Sequence, residues 1–250
     1  MQTLVLWDID GTLVRGRGRR ISVNAFVRAL ERVSKRTDIL NYPRDASGKT
    51  DTQIALDALA AAAVSEAEAA EILEEFGHAY LAELEQDRHS LMQDLEVLPG
   101  VREVLRALAA RGVTQSLLTG NLEPIARLKL TLTELDQYLD FEVGAFGSDH
   151  PDRSCLVPIA RRRVLERRGF SPEAIVVVGD TPRDIACARA GDAYVVAVAT
   201  GQHTRENLGA LGPDVVLDDL SDTESVVEIL LRYSTNRDAQ LQTSPHRLEA

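Results

Sequence analysis

The chain has few aromatic residues, few cysteines and no long apolar run. Phe, Trp and Tyr make up 4% of its 250 residues, so aliphatic side chains must build the core. Cys155 and Cys187 lie far apart and match no metal-binding or redox spacing. No segment approaches the roughly 18 apolar residues of a membrane helix, and acids interrupt the apolar N-terminus, which therefore lacks a secretory signal pattern. These absences predict a cytoplasmic protein without a membrane partner.

Basic residues are also in the minority, with 28 Arg and Lys against 39 Asp and Glu, a formal net charge of −11. A protein that binds the nucleic-acid backbone needs a basic face, so nucleic acid is a poor candidate partner. The hydrophobic content of 44% is sufficient for a full core in one large domain or two small ones.

Short, continuous aliphatic runs alternate with helical patterns in much of the chain. Such runs are typical of strands covered on both faces, so we predict a parallel sheet in a doubly wound α/β domain. The predicted strands cover 3–7, 113–118, 175–178 and 194–198, with weaker signals at 141–143 and 215–217.

Residues 15–96 carry little strand signal and strong helical periodicity, which predicts an all-helical insertion. Ser22 or Asn24 could cap its first helix, and breaks are expected near Ser65 and Gly77. The predicted division is a core domain over 1–14 and 97–233, a helical cap domain over 15–96, and a polar, disordered tail over 234–250.

The charges of the insertion are polarised, with basic residues in its first part and acidic residues after residue 51. The favoured interpretation is helices with solvated faces, some of which pair across the bundle. The alternative is positive charge beside an anionic substrate, contributed by Arg15, Arg17, Arg19 and Arg20.

Two predicted buried strands end in acidic pairs. Asp8 and Asp10 follow the first strand, and Asp180 and Asp184 follow the strand over 175–178. Sites form at the carboxyl ends of strands in open α/β sheets, so the four carboxylates converge if these strands are neighbours. Their mutual repulsion requires a cation, and Mg²⁺ prefers carboxylate oxygens.

A third predicted strand ends in the segment TGN. Thr119 offers a hydroxyl, Gly120 a backbone N–H and Asn121 an amide, beside a predicted helix N-terminus. These groups are suited to anion binding.

The segments DIDGTLV, LLTGN and VVVGDTPRDIACARAG resemble motifs one, two and four of the haloacid dehalogenase-like hydrolases. The helical insertion resembles the cap of the phosphoglycolate phosphatase and β-phosphoglucomutase branch. The resemblance implies a Rossmann-like core, with Asp8 as nucleophile and Asp10 as general acid and base. It also implies Mg²⁺ on Asp8, Asp10 and Asp180, assisted by Asp184, and phosphoryl binding by Thr119, Gly120 and Asn121.

The chain departs from this family at the third motif, which normally supplies a Lys. No Lys lies between Gly147 and Phe170. Arg153 is the best substitute and Arg161 the second, although Arg161 lies within a helical pattern. An Arg can supply the same charge with a different geometry. We predict that His150 is a solvated loop residue and not a catalyst.

The segment GKTDTQ contains a second candidate for substrate contact. Gly48-Lys49-Thr50 superficially resembles a phosphate-binding loop, but the upstream Gly of that motif and its preceding strand are absent. Thr50 and Gln53 instead predict a capping box at a helix start. By resemblance, Lys49 would face the substrate from a cap loop, with Arg44 as a weaker candidate.

The leading prediction is a Mg²⁺-dependent phosphatase that hydrolyses a small phosphorylated metabolite through an aspartyl-phosphate. A β-phosphoglucomutase-like mutase would use the same acids, and a non-catalytic relative would bind a partner through the polarised cap. The oligomeric state stays open.

Overall fold

A computed structural model describes residues 2–18, 20–37 and 45–233. The predicted disordered tail over 234–250 and the candidate residues Arg19 and Arg44 lie outside these ranges. The strands are β1 (Thr3–Trp7), β2 (Val14–Gly16), β3 (Leu95–Val97), β4 (Thr114–Leu117), β5 (Ala174–Gly179), β6 (Tyr194–Val198) and β7 (Val215–Leu217). The α-helices are α1 (Ile21–Ser34), α2 (Asp51–Ala61), α3 (Glu66–Gln86), α4 (Arg88–Asp94), α5 (Val101–Ala109), α6 (Glu123–Leu132), α7 (Leu156–Arg168), α8 (Pro182–Ala190), α9 (Arg205–Gly209) and α10 (Thr223–Arg232).

The main sheet is parallel, with strand order β4-β1-β5-β6-β7. β1 lies between β4 and β5, and Leu6 pairs with Ser116 on one side and Val177 on the other. All five residues of β1 and all six of β5 are buried, which explains their continuous apolar sequence. The α/β fold with a Rossmann-like core is as predicted.

The two faces of the sheet contribute to separate hydrophobic clusters. Val5 and Trp7 belong to the cluster that continues into α1, α3, α5 and α10. Leu4 and Leu6 point the other way and pack with residues of α7 and α8. This alternation follows from the two-residue period of a strand and leaves the carboxyl edge of the sheet to polar residues.

The helical insertion packs around an aromatic cluster between α1 and α3. The ring of Phe26 lies 4.9 Å from that of Phe76 and 5.4 Å from that of Tyr80, measured between centroids. Between the same two helices, Arg28 donates to the buried Glu83 at 2.9 Å and Arg32 donates to it at 3.2 Å. Some of the basic residues of α1 therefore pair with acidic residues of α3, as the favoured interpretation of the polarised charges predicts.

Three local predictions are wrong. α1 begins at Ile21 after Arg20, which has a left-handed φ of 53° and makes no side-chain cap bond, so Ser22 and Asn24 lie inside the helix. α3 continues through Gly77, because burial of the neighbouring Phe76 and Tyr80 offsets the weak helix propensity of glycine.

The third error concerns 141–143, which form a turn. The segment still follows β4, since Asp140 N–H donates to the Gln115 carbonyl and Ala145 N–H donates to the Leu117 carbonyl. The turn lies between the two bonded positions. In the described part of the chain, this segment therefore pairs with the end of β4 through one isolated bridge, between Leu118 and Ala145, and forms no strand.

Candidate active site

The polar groups that follow β1, β4 and β5 meet at one edge of the sheet. They line a cleft of about 650 Å³ whose other wall comes from residues of the helical insertion. Asp8 follows β1, Gly120 and Asn121 follow β4, and Asp180 follows β5. The neighbouring positions of these parallel strands in the sheet bring the groups together.

Three buried carboxylates form the floor of this site. Asp8, Asp180 and Asp184 each offer an oxygen within 4.8 Å of the others. Asp180 accepts a hydrogen bond from the Thr12 hydroxyl at 3.0 Å. A Cβ on Gly201 would lie 1.7 Å from Asp180 Oδ2, so only glycine permits this approach.

Arg153 lies in a 3₁₀ turn (Arg153–Cys155) and supplies the positive charge. Its Nη2 donates to Asp8 Oδ1 at 2.8 Å and also to Asp184 Oδ1. Further bonds reach the carbonyls of Gly48 at 3.1 Å and Leu118 at 3.3 Å. The structure thus places the first of the two candidate arginines against the predicted nucleophile.

Burial and repulsion still disfavour the charged state of these acids. Desolvation raises the pKa of Asp8, although Arg153 opposes this rise. Burial also raises the pKa of Asp180, and the negative charges of Asp8 and Asp184 raise it further. One guanidinium therefore does not balance three carboxylates, and a further cation would stabilise their ionised form.

The donor set fits a hard divalent cation. Asp8 keeps its second oxygen free of the Arg153 contact, and Asp180 accepts one hydrogen bond among the described residues while lining the cleft. Asp184 is more occupied, because its Oδ2 accepts from the N–H and hydroxyl of Thr181 in a capping box that starts α8. Carboxylate oxygens of this kind are suited to Mg²⁺.

Asp10 is separate from this cluster, unlike the predicted convergence of four carboxylates. Its side chain is 50% exposed, and both of its oxygens accept from Lys129 Nζ, at 2.8 and 2.6 Å. Asn121 Nδ2 donates to the same carboxylate at 2.7 Å. Desolvation by the surrounding protein opposes the effect, but the charge and hydrogen bond of Lys129 lower the pKa of Asp10.

Sequence reasoning missed Lys129. It lies on α6 between the buried Leu128 and Leu130 and is itself 4% exposed. Its position eight residues after Asn121, about two helical turns, was the available signal. A lysine in an otherwise apolar stretch of a helix indicates a specific acidic partner, because burial of an unpaired ammonium is costly.

The segment after β4 forms the next part of the wall. The Thr119 hydroxyl is buried and accepts from the Asn121 amide at 3.0 Å. Gly120 and Asn121 line the cleft directly, whereas Thr119 supports Asn121. A Cβ on Gly120 would lie 2.2 Å from the Lys49 carbonyl oxygen, so the insertion approaches the core closely here.

The predicted helix start at Thr50 is confirmed, but the capping box is incomplete. Thr50 Oγ1 accepts from Gln53 N–H at 3.0 Å, whereas the Gln53 side chain donates to Asp57 at 2.7 Å. Lys49 lines the cleft, but its Nζ forms ion pairs with Asp45 at 2.6 Å and Asp57 at 2.8 Å.

Asp51, also missed, links α2 to the core at the same place. Its N–H donates to the Gly120 carbonyl at 2.7 Å, and its Oδ2 accepts from Leu122 N–H at 2.9 Å. Burial raises the pKa of Asp51 to about 6, although Lys129 and the bond from Leu122 oppose the rise.

The other candidates lie away from the acids or at the rim of the cleft. Arg161 donates to the Gly191 carbonyl at 2.8 Å, and His150 contacts the backbone of Asp152. Arg15 and Arg20 line the cleft, where Arg15 also pairs with Glu96 at 3.4 Å. Arg17 lies 3.8 Å from Glu96.

Comparisons with known proteins agree with this architecture. A protein of Dickeya dadantii named "Probable phosphatase IndB" is 26% identical over 236 residues, 94% of this chain and 98% of that protein. A phosphoglycolate phosphatase of Pseudomonas putida is 26% identical over 227 residues, 87% of this chain and 76% of that protein.

A β-phosphoglucomutase structure from Clostridium difficile shares the fold, with a TM-score of 0.65 and 16% identity, over 96% of this chain and all of that one (100%). In the described part of the chain, every helix is too short or too polar to span a bilayer. The model of the haloacid dehalogenase-like hydrolases matches residues 2–192. The chain therefore belongs to the haloacid dehalogenase-like hydrolase family.

Proposed function

We propose that this protein is a Mg²⁺-dependent phosphatase that hydrolyses a small phosphomonoester through an aspartyl-phosphate on Asp8. The observation that carries the proposal is the environment of Asp8 at the floor of the cleft. Its carboxylate contacts Arg153 and lies beside Asp180 and Asp184, where a divalent cation has suitable ligands. The names of the two curated relatives support the same reaction class.

The first step is attack by Asp8 on the phosphorus. Asp8 Oδ forms the new P–O bond while the bond between phosphorus and the alcohol oxygen breaks. Asp10, two residues later, takes up a proton when the anionic substrate binds beside it and donates this proton to the departing alcohol oxygen. Arg153 holds Asp8 and contributes positive charge where the phosphoryl oxygens carry negative charge.

The second step is hydrolysis of the aspartyl-phosphate. Asp10, now a carboxylate, accepts a proton from water as the water oxygen bonds to phosphorus and the bond to Asp8 breaks. Gly120 and Asn121 line the cleft beside this position and would bind the phosphoryl group. Bound Mg²⁺, held by Asp8 and Asp180 with the Asp10 backbone carbonyl and assistance from Asp184, would supply charge neutralisation for both anions.

The size and charge of the cleft favour a small anionic metabolite. Its volume of about 650 Å³ suits a ligand of a few hundred daltons, and the insertion covers the acids. Arg15 and Arg20 add positive charge on the side of the insertion, and Lys49 is a further candidate contact if the substrate displaces one of its acidic partners.

The test is phosphate release from a panel of phosphorylated metabolites, with Mg²⁺ or with EDTA, by the wild-type protein and Asp8→Asn. We expect Mg²⁺-dependent release that Asp8→Asn abolishes, with an unchanged circular dichroism spectrum, because an amide cannot act as the nucleophile. Retained activity in Asp8→Asn would exclude the assigned nucleophile. Isomerised sugar phosphate without free phosphate would identify a mutase instead.

A further inference from the structure

The ammonium group of Lys129 has all its donors directed at two residues of the candidate site. Its Nζ donates to Asp10 Oδ1 at 2.8 Å, Asp10 Oδ2 at 2.6 Å and Asn121 Oδ1 at 2.8 Å. Since an ammonium has three N–H groups, these bonds use its full capacity. The side chain is buried, so its position is set by the packing of α6.

Asn121 closes this arrangement into a triangle. Its amide nitrogen donates to Asp10 Oδ2 at 2.7 Å and to the Thr119 hydroxyl at 3.0 Å, while its oxygen accepts from Lys129. Asp10 Oδ1 therefore accepts from α6, and Asp10 Oδ2 accepts from both α6 and the segment after β4. Thr119, Asn121 and Lys129 lie after β4 and on α6, outside the helical insertion.

Without these contacts, Asp10 would be a half-exposed side chain on a turn. Its carboxylate would then exchange among rotamers, whereas proton transfer needs donor and acceptor atoms within about 3 Å. A purely structural lysine could satisfy its charge with any buried carbonyl or acid. Here the partner is the residue that the proposed reaction uses for both proton transfers.

We infer that Lys129 is a positioning residue that holds Asp10 in the orientation needed for proton transfer to the leaving alcohol. When Oδ1 carries the proton, Oδ2 keeps its bonds from Lys129 and Asn121. This inference rests on the proposed function, because it assumes that Asp10 acts as the proton donor. It adds a residue on α6 to the machinery, two helical turns beyond the segment that binds the phosphoryl group.

The dependence of rate on the leaving group separates this role from a structural one. An alkoxide is a poor leaving group and needs a proton, whereas p-nitrophenolate leaves without one. Because kcat/KM reports the steps up to the first irreversible one, it isolates the transfer of phosphoryl to Asp8. Loss of proton transfer should therefore reduce kcat/KM for an alkyl phosphate much more than for p-nitrophenyl phosphate.

The experiment measures kcat/KM with glycerol 3-phosphate and p-nitrophenyl phosphate for the wild type, Asp10→Asn, Lys129→Met, Lys129→Gln and the double variant Asp10→Asn/Lys129→Met. Arg127→Met is the matched control, since Arg127 lies on the same helix but pairs with Glu123 on the surface. Circular dichroism confirms that each variant is folded, and Lys129→Gln retains an N–H donor if Lys129→Met does not fold.

We expect Lys129→Met to lower kcat/KM about 100-fold for glycerol 3-phosphate and less than about 10-fold for p-nitrophenyl phosphate. The kcat/KM of Lys129→Gln for glycerol 3-phosphate should lie between those of Lys129→Met and the wild type. The double variant should have nearly the same kcat/KM as Asp10→Asn, because the two substitutions remove the same function. Arg127→Met should resemble the wild type with both substrates.

If Lys129→Met and Lys129→Gln lowered kcat/KM equally for both substrates, or did not lower it, the inference would be overturned while Asp10 would remain the proton donor. If Asp10→Asn itself lowered kcat/KM equally for both substrates, the assignment of Asp10 in the proposed function would fail, and this inference would fail with it. A wild-type protein that releases phosphate from neither of these substrates nor from any ester of the metabolite panel would overturn both proposals.

Discussion

Arg153 concentrates several functions in one buried side chain. Its guanidinium contacts two carboxylates, Asp8 and Asp184, and two backbone carbonyls from different segments of the chain. A lysine, which the family resemblance leads one to expect, has a single charged nitrogen and no planar fork with which to reach all four acceptors. The arginine therefore connects the acids to the insertion through the Gly48 carbonyl.

Removal of this charge should destabilise the protein and impair catalysis. We expect Arg153→Met to lower the free energy of unfolding by about 3 kcal/mol without metal, because Asp8 and Asp184 lose their compensating charge. In the presence of Mg²⁺, kcat/KM should fall at least ~100-fold, with a smaller loss in Arg153→Lys. Urea unfolding and phosphate release measure these effects.

Arg162→Met is the control for Arg153→Met, since Arg162 is 65% exposed and lies 3.7 Å from Glu166. Its unfolding free energy should change by less than about 0.5 kcal/mol. An Arg153→Met protein as stable as this control in EDTA would contradict the assigned electrostatic role.

At the scale of elements, the start of α2 rests directly on the segment after β4. Asp51 N–H donates to the Gly120 carbonyl at 2.7 Å, and the Thr50 hydroxyl donates to the Pro151 carbonyl at 2.6 Å. Thr52 makes a similar bond to the Gly147 carbonyl at 2.6 Å. The Asp51 bond therefore positions one wall of the cleft on the segment that we propose binds the phosphoryl group, and the two threonine bonds fix the same helix start to residues 147–151.

A side chain at Gly120 should disturb this contact. In Gly120→Ala the new Cβ would lie 2.2 Å from the Lys49 carbonyl oxygen, so backbone must move. We expect kcat/KM to fall about 100-fold, because displacements near 1 Å at an active site have effects of this size. Gly112→Ala is a control with open space around its Cβ, although its left-handed φ of 69° will cost some stability.

Steady-state kinetics and urea unfolding together distinguish the two variants. Gly112→Ala should lose stability but keep its kcat/KM, because Gly112 lies on the turn between α5 and β4, away from the cleft. If Gly120→Ala kept wild-type kcat/KM, the close seating of α2 on this segment would have no functional importance.

The buried Asp51 predicts a pH-dependent stability difference. Its pKa is raised to about 6 by burial, so between about pH 4 and 6 the folded state binds more protons than the unfolded state. The carboxylate therefore costs stability as pH rises through that interval. We expect the free energy of unfolding of Asp51→Asn, which keeps an acceptor for Leu122 N–H, to exceed that of the wild type by about 3 kcal/mol at the upper end of that interval.

Urea unfolding at several pH values tests this expectation. The difference in free energy of unfolding between Asp51→Asn and the wild type should be near zero at pH 3.5, grow up to pH 6 and stay constant above it. Glu71→Gln, at an exposed position on α3, is the control and should show a flat difference. A flat difference for Asp51→Asn as well would show that burial does not raise the pKa of Asp51.

At the scale of the whole molecule, an acidic chain concentrates three of its carboxylates in one buried cluster. The pKa values of Asp8 and Asp180 are raised by burial, and the cluster adds repulsion. A group with a raised carboxyl pKa stabilises the fold less as pH rises from its unfolded pKa through its folded pKa. Metal-free protein should therefore lose stability from acidic pH to beyond neutrality.

Mg²⁺ should remove most of this loss. We expect the urea midpoint in EDTA to fall between pH 5 and 8, and the midpoint in saturating Mg²⁺ to stay nearly level, because the cation favours the ionised acids. Asp180→Asn should flatten the EDTA profile. The lowered pKa of Asp10 acts below the ordinary carboxyl range, outside this window. Parallel profiles with and without Mg²⁺ would contradict a metal site at the cluster.

The strand signals and acid motifs were readable because each depends on local chemistry. Continuous aliphatic runs predicted β1 and β5 almost to the residue, and an acid directly after each run predicted the edge where the cleft lies. The predictions at Gly77 and 141–143 were wrong because burial of Phe76 and Tyr80 beside Gly77, and the turn beside β4, outweigh local propensity.

The sequence by itself determined the fold class, the family motifs and the set of acids, since these follow from hydrophobic period and residue order. Only the tertiary structure decided which charges meet. It placed Arg153 on Asp8, directed Arg161 to backbone carbonyls, tied Lys49 to its acidic neighbours and brought Lys129 to Asp10 from 119 residues away. Pairing between residues far apart in the chain depends on sheet order and helix packing, which carry no local signal in the sequence.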